Sequence, residues 1–128
     1  IATGTGLAPL ISMMFHLNTI RSQANIYLYF GIRNQEELMK LEELLQLQKE
    51  LKNFDFEVCV SREFFELPNV KTTKGRVTQE ISNNDFDSKN SQFFICGNPN
   101  MVIDTINILK NKQIDETNVF YEKFTRAS

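Results

Sequence analysis

Gly4 and Gly6 stand one residue apart in the stretch ATGTGLAPL, Ala2 to Leu10. A Gly-x-Gly ahead of a helix can offer backbone N–H groups to a phosphate, or it can simply turn a strand tightly into a helix. The usual third glycine is absent, so the motif in isolation supports either reading. Other polar groups recur beside glycines or strand ends: Thr3 and Thr5 beside Gly4, Arg33 near Gly31, Ser61 followed by Arg62, and Cys96 with Asn98 around Gly97. Serine, arginine and free backbone N–H are donors suited to an anionic ligand. Metal chemistry is not expected, because Cys59, Cys96 and the lone His16 are too far apart in sequence for a ligand spacing. His16, beside Phe15, reads as a surface or packing residue.

These groups converge only if the elements between them place them at one edge. Leu10, Met13, Met14, Leu17 and Ile20 recur at helical spacing after Pro9, which suits a first helical turn because it lacks an N–H. NIYLYFGI (25–32) is a β-branched and aromatic run of strand length. Asn34 with Glu37 predicts a capping-box start for a helix reaching about Leu51. FDFEVCVS (54–61) predicts a strand, 62–90 a long functional loop with a short helix at Val77 to Ile81, and SQFFIC (91–96) another strand. Asn98-Pro99 opens a helix to about Asn111, and NVFYEKF (118–124) closes the domain as a strand. Counting a strand cut at Ile1, the order is β-α-β-α-β-loop-β-α-β, which predicts an α/β fold: a parallel five-stranded sheet with helices on both faces. Gly4/Gly6, Gly31 and Gly97 then share the carboxyl edge of the strands, where open parallel sheets bind ligands.

Composition bounds the alternatives. A chain of 128 residues, 41% hydrophobic, is expected to form one domain. A net charge of −2 provides no broad basic surface for nucleic acid or an anionic membrane. No apolar run approaches the about 20 residues of a membrane span. The two cysteines lie in apolar runs and read as buried thiols of a reducing compartment, the cytoplasm by default. A start at Ile1 without methionine is expected of a fragment.

Taken together and in order, GTGLAP, YFGIRNQEEL, VSRE, GRVTQEI, FFICGNPNMV and FYEKF resemble the nicotinamide-nucleotide-binding domain of the ferredoxin–NADP reductase superfamily. The resemblance covers essentially the whole chain, 1–128, and implies a Rossmann-like three-layer domain. It implies an oxidoreductase that passes hydride from NAD(P)H to FAD or FMN, and onward electron transfer to a ferredoxin, flavodoxin or oxygenase-type acceptor. That family holds its flavin mainly in a preceding barrel with an Arg-x-Tyr-Ser-type motif, which is absent here, so the chain alone is expected to be inactive.

Residue by residue, the resemblance assigns Gly4, Thr5, Gly6, Ala8 and Pro9 to the pyrophosphate turn. It assigns Cys96 and Gly97, with Asn98 following, to the nicotinamide side, Cys96 helping position the ring. A buried small hydrophobe is the other reading of Cys96. Glu122 matches an acidic residue that some members place near flavin and nicotinamide, and it also reads as a solvated strand-edge carboxylate. Ser61-Arg62 suits the 2′-phosphate of NADP, and Arg33 and Arg76 match arginines of the bacterial NADP-using branch, so NADP is expected over NAD. The ending EKF-TRAS (122–128) lacks the terminal aromatic of many NADP reductases and is similar to reductase components serving oxygenases. A nucleotide-binding module without a flavin partner is the alternative.

Overall fold

The computed structural model describes residues 1–123. Six strands form one sheet among these residues: β1 (Ala2–Thr3), β2 (Ile26–Ile32), β3 (Phe54–Val60), β4 (Lys71–Lys74), β5 (Phe93–Gly97) and β6 (Val119–Lys123). Their order is β4-β3-β2-β1-β5-β6, and every pairing between them is parallel. The helices are α1 (Leu7–Thr19), α2 (Leu41–Glu50), α3 (Val77–Asn83) and α4 (Pro99–Asn111). The last strand was expected to run to Phe124, which lies outside the described residues together with the tail after it.

Alternation along β3 shows how the sheet divides two cores. Phe54, Phe56, Val58 and Val60 pack with Leu28, Phe30 and Ile32 of β2 against α1 and α2. Cys59 faces the other way, toward Val77 and Ile81 of α3 and Met101, Val102 and Leu109 of α4. The expected helices on both faces are therefore present. The α1 stripe is Leu7, Leu10, Ile11 and Met14, spaced 3, 4 and 7 residues from its start. It begins two residues before Pro9, and Met13 and Ile20 of the expected stripe are turned outward and exposed. A seven-residue helix such as α3 is unstable alone. Burial of Val77 and Ile81 supplies roughly 1.5–3 kcal/mol each and holds it on the sheet.

Two sequence-based boundaries change. The sheet has six strands rather than five, because Lys-Thr-Thr-Lys of β4 pairs with β3 inside the segment read as a loop. An edge strand with lysines at its ends carries no apolar run to announce it, and those charges protect the edge from further pairing. Asn34 caps only a single 3-10 turn at Gln35–Glu37, accepting from the Glu36 N–H, and α2 starts at Leu41 after an extended Leu38. Finally, the other face of β3 buries a carboxylate: Glu57 accepts from the Tyr27 hydroxyl at 2.9 Å and from Thr73, and its Oε1 is 3.6 Å from Lys71 Nζ. This network fastens β4 to β3 and β2.

The same network makes the fold sensitive to alkali. Burial, reinforced by the Glu57 charge, pushes the Cys59 thiol from an ordinary 9.0 up to about 12, and burial also raises Tyr29. An unfolded chain loses the thiol proton first, so the native state binds more protons between those values. Stability is therefore full below pH 9.0 and lost as pH rises toward about 12. Urea unfolding at a series of pH values is expected to show a contribution from this group that is nearly flat up to about pH 8 and, between the two thiol values, falls by about 1.4 kcal/mol per pH unit. A slope unchanged in Cys59→Ala would remove the thiol as its source.

Candidate functional site

The order of the strands reverses between β1 and β5: from β1 the chain winds outward to β4 on one side, then returns to β5 on the other. Ligands of open parallel sheets lie in the crevice beyond the strands' carboxyl ends at such a point. Two short segments flank it, Gly4–Gly6 after β1 and Gly97-Asn98 at the end of β5.

Gly4–Gly6 is a 3-10 turn that runs directly into α1, and no side chain caps either the turn or the helix. The first N–H groups of a helical run have no partner within it; here the run begins with the turn, whose own first N–H groups are available to a ligand, while the Leu7 N–H that opens α1 already donates to the Gly4 and Thr5 carbonyls. Gly4 adopts φ +53°, and a Cβ built there meets nothing within 4 Å: this is the open side of the turn. Gly6 is the closed side. A Cβ on Gly6 would lie 2.3 Å from the Cys96 carbonyl oxygen and 2.6 Å from the Gly97 nitrogen, so the missing side chain lets the turn press on β5. Thr5 and Ala8 are exposed and Pro9 is half-buried in the first turn of α1. Across the crevice, the Asn98 N–H donates to Thr3 Oγ1 at 3.1 Å. Its side-chain oxygen caps α4, accepting from Asn100 and Met101, so that oxygen is already used.

Cys96 pairs with Ala2 of β1 on one side and Glu122 of β6 on the other. It is 6% exposed, and burial first, then the Glu122 carboxylate, raises its thiol above the ordinary range. At neutral pH it presents a small neutral S–H beside an exposed carboxylate.

On the other side of the crevice the ends of β2 and β3 are tied together. The Arg33 carbonyl accepts from the N–H groups of Arg62 and Glu63, both at 3.0 Å, and the Ile32 carbonyl accepts from the Ser61 N–H at 2.9 Å. Arg33 and Ser61-Arg62 are thereby neighbours. Among the described residues the Arg62 side chain makes no hydrogen bond or ion pair and is exposed. Arg33 is not free: its guanidinium grips Glu37 at 3.0 and 3.1 Å. Arg76 stands one strand further out, after β4, where it lines an open groove between α3 and α4 with Asp104 and Asn107. The structure thus brings Arg33, Ser61 and Arg62 together and leaves Arg76 at their margin. Sequence reasoning used Glu37 only as a helix cap, although an acid four residues after an arginine beside a glycine was the available signal. Among the described residues no cluster of three or more metal-ligating side chains occurs, and no helix is long and apolar enough to cross a membrane.

Residues 1–106 match a family model described as an oxidoreductase NAD-binding domain. The reductase component of propane 2-monooxygenase from Rhodococcus jostii is 28% identical over 127 residues, which are 98% of this chain and 34% of that protein. Among solved structures, an Amycolatopsis cytochrome P450 reductase superposes with a TM-score of 0.82 at 26% identity, covering 99% of this chain and 38% of the other. A ferredoxin NADP+ reductase from Neisseria gonorrhoeae with bound FAD and NADP superposes with a TM-score of 0.75 at 25% identity, covering 95% and 53%. The chain spans about a third of the curated relative it matches.

Proposed function

The chain belongs to the oxidoreductase NAD-binding domain family, in its ferredoxin–NADP reductase branch, and from that premise we propose that it binds NADPH across the carboxyl edge of its sheet for hydride transfer to a flavin. The observation that carries the reading is the uncapped Gly4–Gly6 turn at the β1/β5 crevice, open on the Gly4 side and sealed against β5 on the Gly6 side. The pyrophosphate lies over that turn, held by the first N–H groups of the turn at the head of α1, with Thr5, Ala8 and Pro9 around it.

The nicotinamide lies toward Cys96 and Gly97. There the neutral thiol supplies a small, soft surface for a flat ring, and Glu122 sets a negative charge beside it. The adenosine end runs the other way over β2 and β3, where Ser61 and Arg62 take the 2′-phosphate. Successive strands are about 4.8 Å apart, so the edge from β5 to β3 is long enough for an extended dinucleotide. The bound nucleotide supplies the hydride, and FAD or FMN, held mainly by another domain, accepts it. Electrons then pass to a ferredoxin, flavodoxin or oxygenase-type acceptor. Relatives named as oxygenase reductase components support the last of these.

Calorimetry on the 128-residue chain is the test. Heat of binding with NADPH, weaker with NADH, is expected, without reduction of ferricyanide by NADPH, because the hydride acceptor is on another domain. No heat with either nucleotide at millimolar concentration would overturn the reading.

A further inference from the structure

We propose that Glu37 tunes the nucleotide preference of this edge by holding Arg33 back from the 2′-phosphate; the inference rests on the reading above and deepens it. Arg33 and Arg62 end neighbouring strands, and the Arg33 carbonyl binds the backbone of Arg62 and Glu63. By position alone, both guanidinium groups would face the same anion. Among the described residues only Arg62 of the two is unengaged. Arg33 Nε donates to Glu37 Oε1 at 3.0 Å and its Nη2 to Oε2 at 3.1 Å, a two-pronged grip that occupies the planar fork an arginine would offer to a phosphate. The same Oε1 accepts from the Arg33 backbone N–H at 2.7 Å, so one carboxylate holds the residue by main chain and side chain together.

Glu37 is ionised at neutral pH. The Arg33 hydrogen bond is the main influence holding its carboxyl below the ordinary range, and the charge of Arg62 adds to it. The Arg33 main chain binds Glu37 through its N–H and Arg62 through its carbonyl, so the carboxylate stands beside the strand end where Arg62 would bind the anion. Glu37 therefore acts twice against a 2′-phosphate, cancelling the charge of Arg33 and adding its own. It leaves a ribose with free hydroxyls unpenalised. Arg33 is 54% and Glu37 29% exposed at the side chain, so the pair is weak enough to be displaced and its influence is graded rather than absolute.

Glu37→Gln is the decisive change, because its amide oxygen can still accept from the Arg33 N–H while the charge is gone. Two probes without nicotinamide separate the effects: adenosine 2′,5′-bisphosphate carries the 2′-phosphate and AMP does not. In the 128-residue chain the substitution is expected to tighten the bisphosphate roughly three- to tenfold and to leave AMP within about twofold. The gain shrinks with added salt and vanishes in the Arg33→Ala, Glu37→Gln double variant. No gain in a variant with unchanged circular dichroism, or an equal gain for both probes, would overturn the role of Glu37. Arg62→Ala in the same chain tests the underlying reading separately. Equal losses of both probes there would remove the 2′-phosphate from Arg62, whereas the Glu37→Gln result would still decide whether Arg33 is restrained.

Discussion

Gly6→Val is expected to destabilise the folded chain by about 3 kcal/mol or more, lowering the melting temperature by roughly 10 °C or more. The valine Cβ would start 2.3 Å from the Cys96 carbonyl oxygen and 2.4 Å from its carbon, and both are backbone atoms of a central strand. Neither can swing aside as a flexible side chain would. The turn must therefore lift off β5, which also opens the crevice and removes the alignment of the turn's N–H groups. Gly4→Ala is the informative contrast. Its Cβ meets nothing within 4 Å, so the folded state loses only the about 1–2 kcal/mol of a left-handed φ of +53°. The new methyl then stands on the open side, where the pyrophosphate is proposed to lie. Thermal unfolding followed by NADPH calorimetry separates the two. Gly6→Val is to fail chiefly in stability, and Gly4→Ala chiefly in affinity. A Gly6→Val protein with wild-type melting would contradict the tight approach of the turn to β5.

Arg62→Ala is expected to weaken NADPH about ten- to a hundredfold while leaving NADH almost unchanged. A hydrogen bond to a charged group contributes roughly 1.5–3 kcal/mol, and Arg62 is the arginine of the β2/β3 end whose side chain has no partner among the described residues. Its exposure makes the contact sensitive to salt, so NADPH binding by the unmutated chain is to fall with ionic strength more steeply than NADH binding. Arg33→Ala is to cost much less, since Glu37 already holds that side chain. Equal losses of both nucleotides in Arg62→Ala would reassign Arg62 to the pyrophosphate or to the surface. The proposed NADPH preference would then fall while the family and the fold stand.

The alternation of elements was legible because it rests on local chemistry. A run such as Ile26–Ile32 has few alternatives to a buried strand, Asn98-Pro99 opens α4 as read, and the apolar spacing after Gly6 can only be a helix. The carboxyl-edge location of the glycines followed from that alternation alone. Where the reading failed, the deciding interaction was not local. Polar β4 becomes a strand because β3 offers it an edge and Glu57 binds Thr73, neither of which its own four residues reveal. The α2 start moved from Asn34 to Leu41 because Glu37 turns back to Arg33 instead of closing a capping box.

The candidate site divides along the same line. Residue types and spacing by themselves determined an α/β domain with a glycine turn before α1, donors at the strand ends, and a resemblance specific enough to name the family. Each of these is a property of short segments, written in periodicity, capping and turn chemistry. Tertiary structure alone decided which glycine faces outward and which is sealed, which arginine is free and which is held, and that Cys96 lies across from Glu122. Those facts depend on atoms brought within a few ångströms from positions far apart in the chain, as Gly6 meets Cys96, and no local pattern encodes such an approach.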